Sequence, residues 1–495
     1  MNDTNLSYDY VIIGGGPSGL ALSYLLALRK KKCIIIEKEP FLGGCHRVYR
    51  LNGYFTEHSP RIYSSTYINT INMLKLMGKE FEDLFTPYNF SISNIGGNVL
   101  SHLSIKEIVF IIIEFGKFIA NNSTGECISM LSFMNDNSFS DSAKDYIDRL
   151  CRLSDGSDSS KYSVNKFLQI INQQSVYKLY QPKQPTDIGL INIFEQACIQ
   201  TGYVTILKST TIEKLIYNEE SNLITEVVSN QNKKITGKYV VLAIPPKSLY
   251  SLLLSSNLLG TNSKSIFKNV PDLKDWVSKS SYNTYIAITF HWKDEITLYK
   301  DPSKKVWGFP KSEWGVAFIV LSDYMNSIEN NYRTVISTCI TIFDKDYKGK
   351  IPQTVIDETE LKTLVFEQLK QSFPNLPDPS FSILSPTVTR YEDGTWVEAD
   401  TGFIKTYNNS YIPFQTTINN LLNVGTQNGT SEYKFTSFES AICNAIHLSY
   451  YLEPSCNQLI KYERVLTLRD YILRGIIIII IIFVLLVVLK YFKNI

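Results

Sequence analysis

Histidine is scarce in this chain, 5 residues in 495, and none of the 8 cysteines stands in a CxxC pair. Cys33, Cys45, Cys127, Cys151, Cys198, Cys339, Cys443 and Cys456 are scattered, with no histidine cluster beside them. That pattern gives no zinc site and reads as free thiols in a reducing compartment. An excess of one charge is also lacking. Lys and Arg number 49 against 47 Asp and Glu, a net +2, so no global field draws in nucleic acid. There is no internal repeat. No signal peptide is expected, because residues 1–9 are polar and Tyr10–Ile13 is too short for a signal core. A chain of 495 residues is too long for one compact core, so two or three domains are expected.

What is present is concentrated in residues 8–45, YDYVIIGGGPSGLALSYLLALRKKKCIIIEKEPFLGGC. Tyr8–Ile13 is apolar and reads as a buried strand. Gly14, Gly16 and Gly19 follow in GxGxxG spacing, and Pro17 and Ser18 open an apolar helix that runs to Arg29. Cys33–Ile36 is a second buried strand, ending in Glu37. The glycines suit a tight turn, a close backbone approach to a diphosphate, and close helix–strand packing. The helix N-terminus offers free N–H groups and a positive dipole end. Glu37, 23 residues after Gly14, is placed to accept both ribose hydroxyls of an adenosine. Gly14, Gly16, Pro17, Ser18, Gly19, Glu37 and Lys38 are therefore candidate cofactor contacts.

The stretch EKEPFLGG, with Gly43 and Gly44 after the acid, resembles the flavin amine oxidoreductase superfamily, and that resemblance favours FAD over NAD. A single dinucleotide fingerprint agrees, since Gly96-Gly97 lacks the strand and the spacing. Three later segments resemble the same superfamily. VTILKSTTIEKLIYNEESNLITEVVSN and KYVVLAIPPKSL resemble its returning strands, and the resemblance places Ile212 at the adenine end. LLNVGTQNGTSEYKFTSFESAICNAIHLSYYL resembles its C-terminal flavin signature. There a strand ends at Gly425 and a helix begins near Thr436, Ser437 and Phe438 with its N-terminus toward the flavin. Glu439 resembles the helix acid of that signature, with a solvent-facing residue as the plain alternative.

The departures bear on the substrate. The usual Gly-Gly-Arg ends here in Cys45, and Phe41 stands where many members have arginine. Arg47 is near enough in sequence to reach a phosphate, though not at the matching position, with a surface arginine as the plain alternative. EKEPFLGGC resembles the turn of UDP-galactopyranose mutases. The strand YNTYIAITFHW, Tyr282–Trp292, puts Thr284 where amine oxidases commonly carry lysine. No cysteine precedes Gly425 at the place of a covalent flavin link, so FAD is expected to be non-covalent. GYFTEHSPRIYS, residues 53–64, resembles the segment over the flavin in protoporphyrinogen oxidases and UDP-galactopyranose mutases. It offers His58 and Arg61 as candidate catalytic groups, with a core histidine and a Glu57–Arg61 ion pair as the plain alternative.

The expected fold is α/β: a discontinuous Rossmann-type FAD-binding domain (1–65, 186–265, 410–455) and an α+β substrate domain (66–185, 266–409). Ser104–Ala120 reads as an apolar-faced helix, and Asn135–Ser142 and Ser154–Ser163 as loops. Gly475–Leu489 is free of charge, and as a helix it extends about 22 Å; 471–492 extends about 33 Å. The second length predicts a C-terminal transmembrane anchor with the body cytosolic. The resemblance implies an FAD-dependent oxidoreductase acting on a small molecule. The alternatives are a mutase-like non-redox flavoenzyme, drawing on Arg149, Arg152, Arg333 and Arg390, and a non-catalytic binding protein like the Rab GDP-dissociation inhibitors. The oligomeric state is not legible.

Overall fold

The computed structural model describes residues 7–57, 61–88, 91–92, 102–155, 157–174, 177–259, 266–282, 285–299, 306–308, 312–325, 332–386, 388–390, 396–398, 403–405, 410–432 and 436–492. Strand Ser7–Ile13 lies at the centre of a seven-stranded sheet. It pairs in parallel with Cys33–Ile36 on one side and with Lys234–Leu242 on the other. Val204–Leu207 continues the parallel sheet beyond Cys33–Ile36, and Leu421–Asn423 beyond Lys234–Leu242. An antiparallel arm, Ile212–Asn218 with Leu223–Ser229, leans on the start of Lys234–Leu242.

Parallel strands of this kind are covered on both faces, which is why they read as unbroken apolar runs. Successive side chains point to opposite faces. Tyr10, Ile12, Cys33 and Ile35 pack with Leu20, Leu25, Ile442 and Ile446 on one side. Val11, Ile13, Ile34 and Ile36 pack with Leu249, Leu253 and Trp276 on the other. The glycine helix, Pro17–Ala27, is buried from Ser18 onward. It is sandwiched by the late helix Phe438–Leu452 and by Asn192–Gln200.

A second sheet has six strands, in the order Phe381–Leu384, Ile286–Trp292, Thr334–Ile340, Ala317–Val320, Val306–Gly308, Ser91–Ile92. Ile286–Trp292 and Thr334–Ile340 are buried throughout. Helix Glu358–Leu369 covers one face, and a helical layer that includes Asp141–Asp155 covers the other. The expected strand Tyr282–Trp292 is shorter: it begins at Ile286, and Ser281–Tyr282 pairs elsewhere with Phe403–Lys405. Asn135–Ser142 is only partly loop. Helices Met130–Asp136 and Asp141–Asp155 enter it from both ends, the latter held by Asp145–Arg149 and Asp148–Arg152 pairs one turn apart.

Helix Ile105–Ala120 forms as expected, with Ser104 and Glu107 in a reciprocal capping box. Its packed face is mixed: Glu107 and Glu114 are buried alongside Phe118, while Ile105, Ile112 and Ile113 are exposed.

The C-terminal helix runs Leu468–Phe492. Among the described residues no helix is long and apolar enough to cross a membrane. This corrects the expected transmembrane anchor over 471–492, and with it the single-pass membrane localisation. The first turns carry Arg469, Asp470 and Arg474 and are docked on the body. Asp470 Oδ2 accepts from Thr467 N and Oγ1, and Arg469 Nε donates to the Ile119 carbonyl at 2.8 Å. The α/β Rossmann part of the expected fold class stands.

Candidate functional site: a glycine-lined dinucleotide crevice

The site begins where strand Ser7–Ile13 turns into helix Pro17–Ala27. Gly14 has φ +112°, and a Cβ there would lie 2.3 Å from the Ala243 carbonyl oxygen. A Cβ on Gly19 would lie 2.1 Å from the Gly14 carbonyl oxygen. These two glycines are therefore demanded by the fold. Gly16 is different. A Cβ there would meet nothing nearer than the Gly44 Cα at 3.9 Å. Gly44, φ +57°, faces it in turn, with its own added Cβ 3.4 Å from the Gly16 Cα. Two side-chain-free residues thus confront each other at the N-terminus of a buried helix. Gly16 is the N-cap of that helix and gives it no side-chain cap, and no acid stands in its first turn. Amides and dipole there favour an anion.

Glu37 faces this turn. Its Oε2 accepts from Gly15 N at 2.8 Å, and its Oε1 from Glu39 N at 3.0 Å. The backbone of Glu37 is fixed by Leu207, and Thr210 N donates to the Glu37 carbonyl at 2.9 Å. Thr210, rather than Ile212, adjoins the acid. Ile212 starts the antiparallel arm opposite Ser229. Arg47 is buried and lies beside the acids, with Nη1 3.5 Å from Glu39 Oε1 and 4.0 Å from Glu37 Oε1. Lys38 is exposed, 3.7 Å from Glu39. Ser18 turns its hydroxyl to the Ala441 carbonyl at 3.1 Å, joining the first and last helices of the sheet.

The second wall comes from the far end of the chain. Gly425 follows strand Leu421–Asn423, and its N–H donates to Asn428 Oδ1 at 2.8 Å. Thr426 and Thr436 hydroxyls are 3.2 Å apart. Ser437 caps helix Phe438–Leu452, accepting from Ser440 N at 3.0 Å. Phe438 is core: its ring meets His46 edge-on at 5.0 Å and Phe194 at 5.7 Å. Glu439 is buried and faces neither solvent nor crevice. It caps helix Ile68–Leu76, accepting from the backbone and side chains of Asn69 and Thr70. Burial pushes its carboxyl up, and those hydrogen bonds oppose the shift.

Between the walls lies a polar group that the sequence did not single out. Gly43, with φ +112°, begins a short turn, Gly44–His46, that carries His46 inward. Tyr63 Oη is 3.3 Å from His46 Nδ1. Thr186 Oγ1 is 3.1 Å from both the His46 carbonyl and Glu57 Oε1, and Thr186 N donates to Glu57 at 3.2 Å. Burial pushes Glu57 above its ordinary range, opposed by the Thr186 amide and then by the Arg61 charge. Arg61 donates to the Cys45 carbonyl and so ties down the same turn. The nearest signal in the sequence was the histidine two positions after Gly44, beyond Cys45. His58 and Thr284 lie outside the described residues.

Arg149 and Arg152 are not directed to a ligand. They pair with Asp145 and Asp148, and donate to the Ser312 and Thr341 carbonyls. Among the described residues no cluster of His, Cys, Asp and Glu could hold a metal ion.

The fold that carries this crevice is similar to that of solved flavin-enzyme structures, amine oxidases among them. Residues 12–76 match the NAD(P)-binding Rossmann-like domain. Cyclohexylamine oxidase from Brevibacterium oxydans IH-35A superposes with a TM-score of 0.59 at 12% identity, over 92% of this chain and 100% of that one. Putrescine oxidase, in a structure with bound putrescine, gives 0.63 at 14%, over 90% and 99%. An oxidoreductase from Methanosarcina mazei gives 0.61 at 12%, over 89% and 99%. At such identities the likeness is one of fold. Ferredoxin–NADP reductase 1 of Lysinibacillus sphaericus (strain C3-41) is 52% identical over 42 residues, 8% of this chain and 12% of that protein.

Proposed function

We propose that this chain is an FAD-dependent oxidoreductase that binds its flavin non-covalently and takes a hydride from a small-molecule substrate. The observation that carries the reading is the Gly16–Gly44 confrontation with Glu37 at its rim. Bare backbone at a buried helix N-terminus lets a diphosphate approach the amides, and the Glu37 carboxylate adjoins that turn through Gly15 N. Gly14, Gly16, Gly19, Gly43 and Gly44 shape the cradle, Glu37 holds the ribose, and the first amides of Phe438–Leu452 face the ring system. When bound, the flavin supplies a hydride acceptor at N5.

The protein's own part is orientation and exclusion of water. The covering pieces are the turn Gly44–His46, held by Arg61 and Thr186, and hairpin Val48–Leu51/Tyr54–Glu57. That hairpin is bolted to the second sheet through the Thr56–Thr289 hydroxyl pair at 2.9 Å. The amine-oxidase-like architecture supports oxidation of a C–H bond. The mutase-like reading loses Arg149 and Arg152, two of the four arginines it would draw on. The test is the visible spectrum of the purified chain. Yellow protein that releases FAD on heating, and bleaches anaerobically with a substrate amine or alcohol, supports the proposal. Colourless protein that stays colourless after incubation with FAD overturns it.

A further inference from the structure

We propose that Arg47 reads the sugar of the adenosine together with Glu37, and does not serve the diphosphate; this rests on the dinucleotide reading above. Three observations carry it. First, the guanidinium is committed in place yet not exhausted. Its side chain is 4% exposed, and it stands between two acids at 3.5 and 4.0 Å, distances set by charge attraction more than by formed hydrogen bonds. Its Nε is buried with no hydrogen-bond partner, an arrangement that calls for a reason. Second, Glu37 is half used. Each of its oxygens accepts one backbone N–H, from Gly15 and from Glu39. A carboxylate has about four acceptor sites, so about two remain. Third, the stem of Arg47 cannot wander, because the guanidinium lies 5.8 Å from the Tyr49 ring, which Phe41 braces edge-on at 6.3 Å.

A vicinal diol needs this combination. Each sugar hydroxyl donates one proton and accepts at its lone pairs. Glu37 takes the donated protons, and Arg47 supplies a donor to a hydroxyl oxygen. Removing a hydroxyl would leave both protein groups unpaired in a buried place, which is how polar sites discriminate strongly.

The test uses the full chain freed of flavin, with wild type, R47K, R47A and the double variant R47A/E39Q, each checked for fold by circular dichroism. FAD binding is read by flavin fluorescence, and ADP and 2′-deoxy-ADP are compared as competitors. R47K keeps the charge between the acids but loses the planar fork. The expected result is about tenfold weaker FAD binding in R47K, from the loss of one charge-assisted hydrogen bond. Wild type should prefer ADP over 2′-deoxy-ADP by about tenfold, and R47K by less than about twofold. If R47K binds and discriminates as wild type does, the proposal falls. It falls equally if R47A/E39Q regains wild-type FAD binding, because then Arg47 only balances acids. A wild type that binds neither FAD nor ADP removes the dinucleotide reading itself, and this inference with it.

Discussion

Glu439 and Asn69 stand 370 positions apart, yet one carboxylate oxygen of Glu439 accepts from both the backbone and the side-chain amide of Asn69, at 2.9 and 2.8 Å. The other oxygen accepts from Thr70 N and Oγ1 at 2.8 and 2.7 Å. Four donors at the start of helix Ile68–Leu76 thus converge on one side chain. The Glu439→Gln change turns one acceptor into an NH2 group facing two donors. It should cost about 1–3 kcal/mol of stability. Thermal unfolding measures the loss, and the flavin absorbance band should keep its wavelength. A full-stability variant with a displaced band would place Glu439 at the cofactor instead.

Gly14 and Gly16 should separate folding from binding. Gly14→Ala drives a methyl into the Ala243 carbonyl at a φ of +112°, so the chain should lose solubility or melt early. Gly16→Val places its Cβ in ordinary contact with the Gly44 Cα, 3.9 Å away, and should fold with a circular dichroism spectrum like that of wild type. It should, however, fail to retain flavin. Yellow Gly16→Val protein would mean that the diphosphate lies elsewhere.

His291 sets an acid limit. It is buried in the second sheet, its Nε2 accepts from Phe55 N at 3.4 Å, and burial pushes its pKa down to about 3. The folded chain therefore keeps His291 neutral where an unfolded histidine, near 6.5, takes a proton. Its contribution is complete above about pH 6.5 and is lost as pH falls toward 3, at about 1.4 kcal/mol per unit. In urea titrations at several pH values, His291→Gln should flatten that slope. An unchanged slope would show that other groups set the acid limit.

Glu57 acts in the opposite sense. Its folded pKa is raised, so its contribution is present below the unfolded value near 4.5 and is lost as pH rises through the folded one. Glu57→Gln keeps an acceptor for Thr186 and cannot ionise. Relative to wild type, the variant should gain stability with rising pH in that window, by about 1.4 kcal/mol per unit. Glu57→Leu leaves Thr186 N unpaired and should cost about 1–3 kcal/mol. Parallel pH curves for Glu57→Gln and wild type would mean that Glu57 is ionised throughout.

The glycine turn, its flanking strands and Glu37 were legible because each depends on neighbours within about thirty residues. Helix Ile105–Ala120 was legible for the same reason, but the burial of its two acids was not. Glu107 is buried where Ser140, 33 positions on, supplies an amide at 2.7 Å. For Arg47 the sequence offered closeness to a phosphate, and it did not say that Glu39 lies beside its guanidinium. Glu439 and His46 depend on partners from other elements, and no local pattern announces them. Serine-rich composition misled at Asn135–Asp136, Asp141–Ser142 and Ser154–Asp155, where helices Met130–Asp136 and Asp141–Asp155 run into the two expected loops.

The central sheet also dictates an order of assembly. Strand Lys234–Leu242 gains its outer parallel neighbour only at Leu421–Asn423, and the glycine helix gains its cover only at Phe438–Leu452. At roughly 5–20 residues per second, a ribosome needs about 20–80 s after making the amino-terminal strand to deliver those pieces. Throughout that interval the apolar flank of Pro17–Ala27 is bare, so the half-made protein is the form most in need of a chaperone.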